Sequence, residues 1–452
     1  MDSKKRYGYI KTLKTLIVLA VPTMVEEVLA TLLQYVDTAM VGHLGEQATA
    51  SVNVTTTVTW LVSSIPSAIG VGILALIAKA LGQRDEELIR TLSKQALLLV
   101  VIFGIMTGGI SMLLAPYIPG WMGAEEAIWK DASAYFFIIS IPMVFRTAGS
   151  VLGAAIRATK DTKTPLYISV ITNGMNAGLN YLLIYTAGLG VVGAAIASAV
   201  SYTCFGILMF VAYRKNAYLR WEWNTFRVDN ARLKECAKVS LPVLGTSMMS
   251  CMGYVVFASL VSGMGTTVFA AHSIAVTAET IFYIPGYGLR TATSTLVGIS
   301  LGEGDREKFH MVSRVSIVVT MVMMVVNGFI LYFVSYPLMC LLTNSAMVAG
   351  IGAEMLKLVA FSEPFFGLMI VMEGIFYGLG RTRYAFFVET FSMWGIRILS
   401  TAVVVLVFRL SLRAVWYCMI ADNVSKAILF TIPMLLGKVD IPVNNIIQEE
   451  IK

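Results

Sequence analysis

"LGQRDEE" (Leu81–Glu87) and "LGEGDRE" (Leu301–Glu307) stand 220 positions apart, and each follows an apolar run long enough to cross a bilayer. A glycine, a short charged loop and a fresh apolar run mark the end of one membrane helix and the start of the next. The same punctuation at this interval points to an internal repeat. Sliding the chain by that distance also brings Pro22 onto Pro242, Gly45 onto Gly265, Gly82 onto Gly302 and Asp85 onto Asp305. At 221, "GAAIRATKDTK" from Gly153 meets "GIFYGLGRTR" from Gly374, and "GAAIASAV" from Gly193 meets "AVWYCMIA" from Ala414.

The 452 residues are 57% hydrophobic and 13% charged, with a mean hydropathy of +0.76, outside the range of soluble domains. Twelve apolar runs recur along the chain, each close to the ~20 residues a helix needs to cross roughly 30 Å of hydrocarbon. The expected fold is therefore an all-α integral membrane protein with twelve transmembrane helices in two pseudo-symmetric six-helix lobes, residues 1–213 and 237–452. An even number per lobe makes both enter the membrane in the same sense, which is transporter architecture. Between them, residues 214–236 mix charges with Trp221, Trp223 and Phe226, as suits a connector at the cytoplasmic interface.

The net charge of +7 is spread over short loops, without a basic face interleaved with aromatics, so nucleic acid is not an expected partner. Every second loop is basic: Lys4, Lys5 and Arg6 precede the first run, Arg84 and Arg90 follow the second, and Arg306 and Lys308 follow the eighth. By the positive-inside rule both termini are cytoplasmic, in a multi-pass protein of a prokaryotic cell membrane. The basic start resembles a signal peptide, yet Glu26, Glu27 and Asp37 interrupt its apolar run, which reads as an uncleaved first helix.

Enzymatic motifs do not hold up. "GLGVVG" (Gly188–Gly193) joins two membrane helices with no preceding strand, "GISLG" (Gly298–Gly302) ends a helix, and no phosphate-binding GxxxxGK[ST] occurs. Five scattered cysteines and three distant histidines suggest neither disulfides nor a metal site. No cofactor is expected beyond a coupling ion, and no metal beyond sodium in that role.

An intramembrane carboxylate costs at least about 2.5 kcal/mol on insertion scales and is a functional candidate by default. Asp37 lies 21 residues beyond Leu16, in the outer half of the first helix. Glu26, eleven residues earlier, is expected on the same face. In the fifth run Asn173, Asn176 and Asn180 form a polar stripe at helical spacing, with amides able to orient a carboxylate or ligate a hard cation, and Ser198 at the start of the sixth run is a further candidate ligand. The second half has Phe257 where Asp37 would repeat; its acids are Glu279, Glu363 and Glu373, with Arg290 and Arg397 able to neutralise them, and Asp422 with Lys426 reads as an i,i+4 pair. Arg146 is a third intramembrane arginine.

Over nearly its whole length the chain resembles the multidrug and toxic compound extrusion (MATE) transporters. The resemblance is carried by "VPTMVEEVLATLLQYVDTAMVGHLG" (21–45), "LGQRDEE", "LVGISLGEGDREK" (296–308), "GAAIRATKDTKTP" (153–165), "NAGLNYLLIY" (176–185) and "GVVGAAIAS" (190–198). It implies two six-helix lobes around a cleft that opens alternately to either side, exporting small organic, often cationic, compounds in exchange for protons or sodium. It assigns the coupling role to Asp37. The family often has an aspartate where this chain has Asn180, and one carboxylate fewer favours a proton over sodium. A monomer is expected to suffice, with the lipid bilayer as its surroundings. Candidate cleft residues are Glu26, Glu27, Gln34, Tyr35, Met248, Met249, Phe282, Tyr283 and Tyr287. The rival reading is a lipid-linked precursor flippase of the same broad superfamily, for which Arg146, Arg290 and Arg397 would serve a phosphate-bearing headgroup.

Overall fold

A computed structural model of the chain describes residues 3–222 and 226–440; Trp223 of the connector lies outside them. The helices in the first half are α1 (Ser3–Gly42), α2 (Glu46–Gln83), α3 (Glu86–Leu114), the single turn α4 (Ile118–Trp121), α5 (Glu126–Ser140), α6 (Met143–Ala158), α7 (Lys163–Asn180) and α8 (Gly190–Lys215). Those of the second are α9 (Asn230–Ser262), α10 (Thr266–Glu303), α11 (Arg306–Leu342), α12 (Ala346–Ala360), α13 (Glu363–Gly378), α14 (Thr382–Phe391), α15 (Leu399–Ala402) and α16 (Leu412–Leu435). No strand occurs among the described residues.

Nine helices among the described residues are long and apolar enough to cross a membrane, and α5–α6 and α12–α13 qualify as pairs bent by 51° and 58°. The remaining expected span is α7, whose asparagines and threonines lower its hydropathy. It continues as a π-helical segment, Tyr181–Thr186, and α14 likewise passes into a π-helical stretch, Ser392–Ile398. Such widened turns rotate the side chains that follow and recur at functional sites; Asn180 is the last residue before one, and Arg397 lies within the other.

The repeat survives in three dimensions. α2 and α10 have 38 residues each, α5 and α12 have 15, α6 and α13 have 16, and the members of each pair begin 220 positions apart. Equivalent turns have equivalent chemistry. Gly45 (φ 110°) and Gly265 (φ 113°) precede α2 and α10 in a backbone conformation that a Cβ disfavours. Asp85 and Asp305 cap α3 and α11, each accepting a 2.9 Å bond from the backbone N–H three residues on, at Leu88 and Lys308.

The chain forms two compact units, one of residues 25–244 and one of 1–24 with 245–452, so α1 and α9 are each divided between them. Close helix packing explains this membership. In the second unit the leading part of α1 lies against α10 where Gly288 has no Cβ to strike Met24, and the Thr23 hydroxyl donates to the Gly288 carbonyl at 2.9 Å. In the first, the leading part of α9 lies against α2 at Gly72, where a Cβ would collide with Ser240.

The connector is docked on its own unit. The Ser93 hydroxyl of α3 donates to the Leu219 carbonyl at 2.7 Å, the Gln95 amide donates to the Arg227 carbonyl at 2.8 Å, and the buried Trp221 ring sits 4.9 Å beneath the Arg214 guanidinium.

Asp85→Ala and Asp305→Ala are each expected to lower the stability of their own unit by about 1 kcal/mol, as loss of an N-cap typically does, while the Asn variants stay close to the parent. Thermal unfolding in detergent reads the difference.

Candidate functional site

The unit of residues 25–244 contains a cavity of about 580 Å³. Gln34 and Asp37 reach it from the C-terminal part of α1, while α2 contributes the polar "TTTVTW" stretch from Thr55 to Trp60. Tyr135 comes from α5, Arg146 from α6, Asn173 and Asn180 from α7, and Ser198 and Tyr202 from α8. Bends and widened turns aim these groups. Arg146 enters in the first turn after the α5–α6 bend, and Asn180 closes α7 just before the π-helical segment.

The Asn180 amide donates one N–H to Asp37 Oδ1 at 2.6 Å and the other to Asn176 Oδ1 at 3.1 Å. Its own carbonyl oxygen is buried without a hydrogen-bond partner. Among the described residues the carboxylate is thus solvated by a fixed dipole and not neutralised by a cation. Of the asparagine stripe, Asn180 touches Asp37 directly and Asn176 acts through Asn180. Asn173 faces the cavity but donates to Ser169 Oγ at 3.3 Å. Ser198 is a buried wall residue. An anionic oxygen beside orphaned and amide carbonyl oxygens fits a proton or a hard monovalent cation.

Not every residue expected with Asp37 is there. Glu26, expected on the same face, is instead gripped by Arg157 of α6 through both its oxygens, at 3.1 and 3.0 Å, and is not on the cavity wall. Tyr35 is likewise absent from the wall, and Glu27 is exposed. In the other unit Met248 is exposed, and the Met249 carbonyl accepts the Trp394 indole N–H at 3.2 Å. Phe282 packs against the hydrophobic core of that unit, and Tyr283 packs against Phe366 with ring centres 4.8 Å apart and planes tilted by 57°. Tyr287 lies under the Arg290 guanidinium at 4.7 Å.

Most buried charges in that unit are paired. Arg290 Nη1 donates to Glu373 at 2.7 Å, and Tyr377 donates to the other Glu373 oxygen at 2.5 Å. Arg397 Nε contacts Asp422 at 2.8 Å; Lys426 contacts Glu389 at 2.8 Å and Asp422 at 3.3 Å. Glu279 and Glu363 make no ion pair among the described residues. Glu279 lies in the field of Arg397 and Glu363 in that of Glu279, and one Glu363 oxygen is buried without a hydrogen-bond partner.

Sequence reasoning missed Tyr135, Tyr202 and the threonines of α2 as cavity walls. The run of hydroxyls in "TTTVTW" was a signal, since four threonines in six residues of a membrane helix need polar company.

The MatE family model matches residues 22–182 and again 242–403. The chain belongs to the MATE family of transporters. The matched stretches begin at Pro22 and Pro242, in the register of the repeat. A probable multidrug resistance protein NorM of Thermotoga maritima is 28% identical over 436 residues, spanning 94% of this chain and 92% of the relative. A multidrug resistance protein NorM of Vibrio vulnificus is 25% identical, spanning 88% of each chain. The solved structure of a MOP superfamily transporter from Pyrococcus furiosus superposes with a TM-score of 0.89 at 21% identity, covering 94% of this chain and 95% of the other. The chain is accordingly a multi-pass membrane transporter with the MATE fold.

In this MATE chain Glu373 is held from both sides. Arg290→Met is expected to destabilise the unit by about 3–5 kcal/mol, because it leaves a buried carboxylate without its cation, and Glu373→Gln in the same chain should restore most of that. Thermal unfolding of the two single variants and the double variant checks it.

Proposed function

We propose that the protein is a secondary active multidrug exporter, antiporting organic, often cationic, compounds against a coupling cation by alternating access, with Asp37 as the main coupling carboxylate. The carrying observation is Asp37 itself: a membrane carboxylate on a cavity wall, held by one amide and, among the described residues, by no cation. The names of the NorM relatives support the export of drugs.

Deprotonated, Asp37 accepts from Asn180 and fastens the outer part of α1 to α7. Protonation from the outer side removes the charge, weakens that bond and frees α1 to shift, which favours release of substrate outward. The bias is limited to the difference in ion affinity between the two states. A proton is the favoured ion because a single carboxylate with neutral amides gives sodium little charge to bind. In the second unit, Glu279 and Glu363 are buried acids without an ion pair among the described residues. Glu373 braces the packing of α10 on α13.

The flippase reading needs a cationic cleft. Two of its three arginines are occupied, Arg290 by Glu373 and Arg397 by Asp422, which favours the exporter. Both termini are assigned to the cytoplasm, on the alternation of basic loops, and the protein is assigned to act as a monomer.

Efflux of a cationic dye from liposomes should run on a pH gradient alone and fall to background in Asp37→Asn. Full-rate transport by that variant would sink the coupling role. Asn180→Asp supplies a second carboxylate and is expected to make a sodium gradient an effective drive, read in the same assay.

A further inference from the structure

Arg146 is a charge without an ionic partner. Its Nη2 donates to the Ser63 hydroxyl at 2.5 Å and its guanidinium lies 4.7 Å from the centre of the Tyr202 ring. No carboxylate lies within ion-pair distance of it among the described residues. An arginine at membrane depth is costly against hydrocarbon, so one that is neither paired nor lipid-facing marks a ligand or ion pathway. The helix field gives no reason for it either. Arg146 sits in the first turn of α6, the end where the macrodipole disfavours a cation.

The cavity wall holds one acid, Asp37, and one base, Arg146. Tyr135 stands in the fields of both. The repeat shows that the two charges go together: 220 positions on from Asp37 and Arg146 the second half carries Phe257 and Phe366. Where one charge is missing, so is the other.

We infer that this cavity is a two-pole site for zwitterionic organic compounds, in which Arg146 takes the carboxylate of the substrate and Asp37 its amine. The inference rests on the export reading for its transport consequence, and on the cavity alone for binding. The planar guanidinium offers several donors in a fork that matches a carboxylate, and Ser63 and Tyr202 hold it while leaving donors to spare. The neutral threonine and asparagine walls provide hydrogen bonds without competing charge. When Asp37 is neutralised the cavity changes from neutral to positive, so the amine end of a substrate is released while the carboxylate end stays attracted. The Arg146 pole thereby sets which compounds enter, and Asp37 sets when they leave.

The test is equilibrium binding to the purified full-length protein, read by fluorescence anisotropy, of rhodamine B and its methyl ester. The two dyes share a shape and a cationic ring system, but only the first has a free carboxylate. Rhodamine B is expected to bind at least about tenfold more tightly than the ester, as an additional charge-assisted bond should allow. Arg146→Gln should remove the preference and Arg146→Lys should keep part of it. Equal affinity of the wild-type protein for the two dyes overturns the proposal, and so does a preference that survives in Arg146→Gln. The wild-type ratio and Arg146→Lys still decide should the Gln variant fail to fold. Stronger displacement of the dye by dodecyl phosphate than by unlabelled zwitterion would assign the arginine to a lipid headgroup and also overturn it. Wild-type dye efflux from liposomes reads the export assignment separately, because binding in detergent needs no gradient.

Discussion

A charge within a bilayer has three ways to survive: an opposite charge, fixed dipoles that replace water, or a wall that gives access to water. The unit formed around residues 245–440 uses mostly the first. Arg397 and Asp422 meet at 2.8 Å with side chains 6% and 0% exposed, Lys426 bridges to Glu389, and Arg290 is locked to Glu373. The unit of residues 25–244 uses the other two at its cavity. Asp37 has an amide, Arg146 has a hydroxyl and a ring, and neither has a counter-ion among the described residues. Pairing makes a charge permanent; solvation by dipoles leaves it free to be changed or matched by a guest.

The helical scaffold places these groups through local departures from ideal geometry. A 51° bend turns the start of α6 so that Arg146 enters the cavity, and the π-helical segment after Asn180 follows the residue that holds Asp37. Missing Cβ atoms do the complementary work of bringing helices close, at Gly72 and Gly288, and so decide to which unit the leading parts of α9 and α1 belong.

The sequence made the scaffold readable because its signals are local. Apolar runs have a length, "LGQRDEE" and "LGEGDRE" have a period, and the N-caps they announce are present at Asp85 and Asp305. Asp37 was readable because a carboxylate in such a run needs a reason. Partners were less readable. An interval of four showed Asp422 beside Lys426, and that contact exists at 3.3 Å, but the shorter one is to Glu389 on another helix. Helical-wheel arithmetic put Glu26 with Asp37, yet it could not see Arg157 arriving from α6. Nothing local distinguished Arg146 from Arg290 and Arg397. The difference is whether a carboxylate from a distant helix reaches each one, and that is fixed only by tertiary packing.

The duplication sharpens the point. Equivalent helices could carry equivalent chemistry, but Phe257 and Phe366 occupy the positions that correspond to Asp37 and Arg146. Phe257 is 3% exposed, within the core of its unit, and Phe366 packs on Tyr283. A structural need for charge at these places would be felt in both halves, since both repeat the helix order and the bent pair, at 51° and 58°. Apolar rings satisfy the fold at these two positions. The charges at Asp37 and Arg146 are therefore not required by the architecture that the two halves share, and the reason for their desolvation has to be sought in the cavity they line.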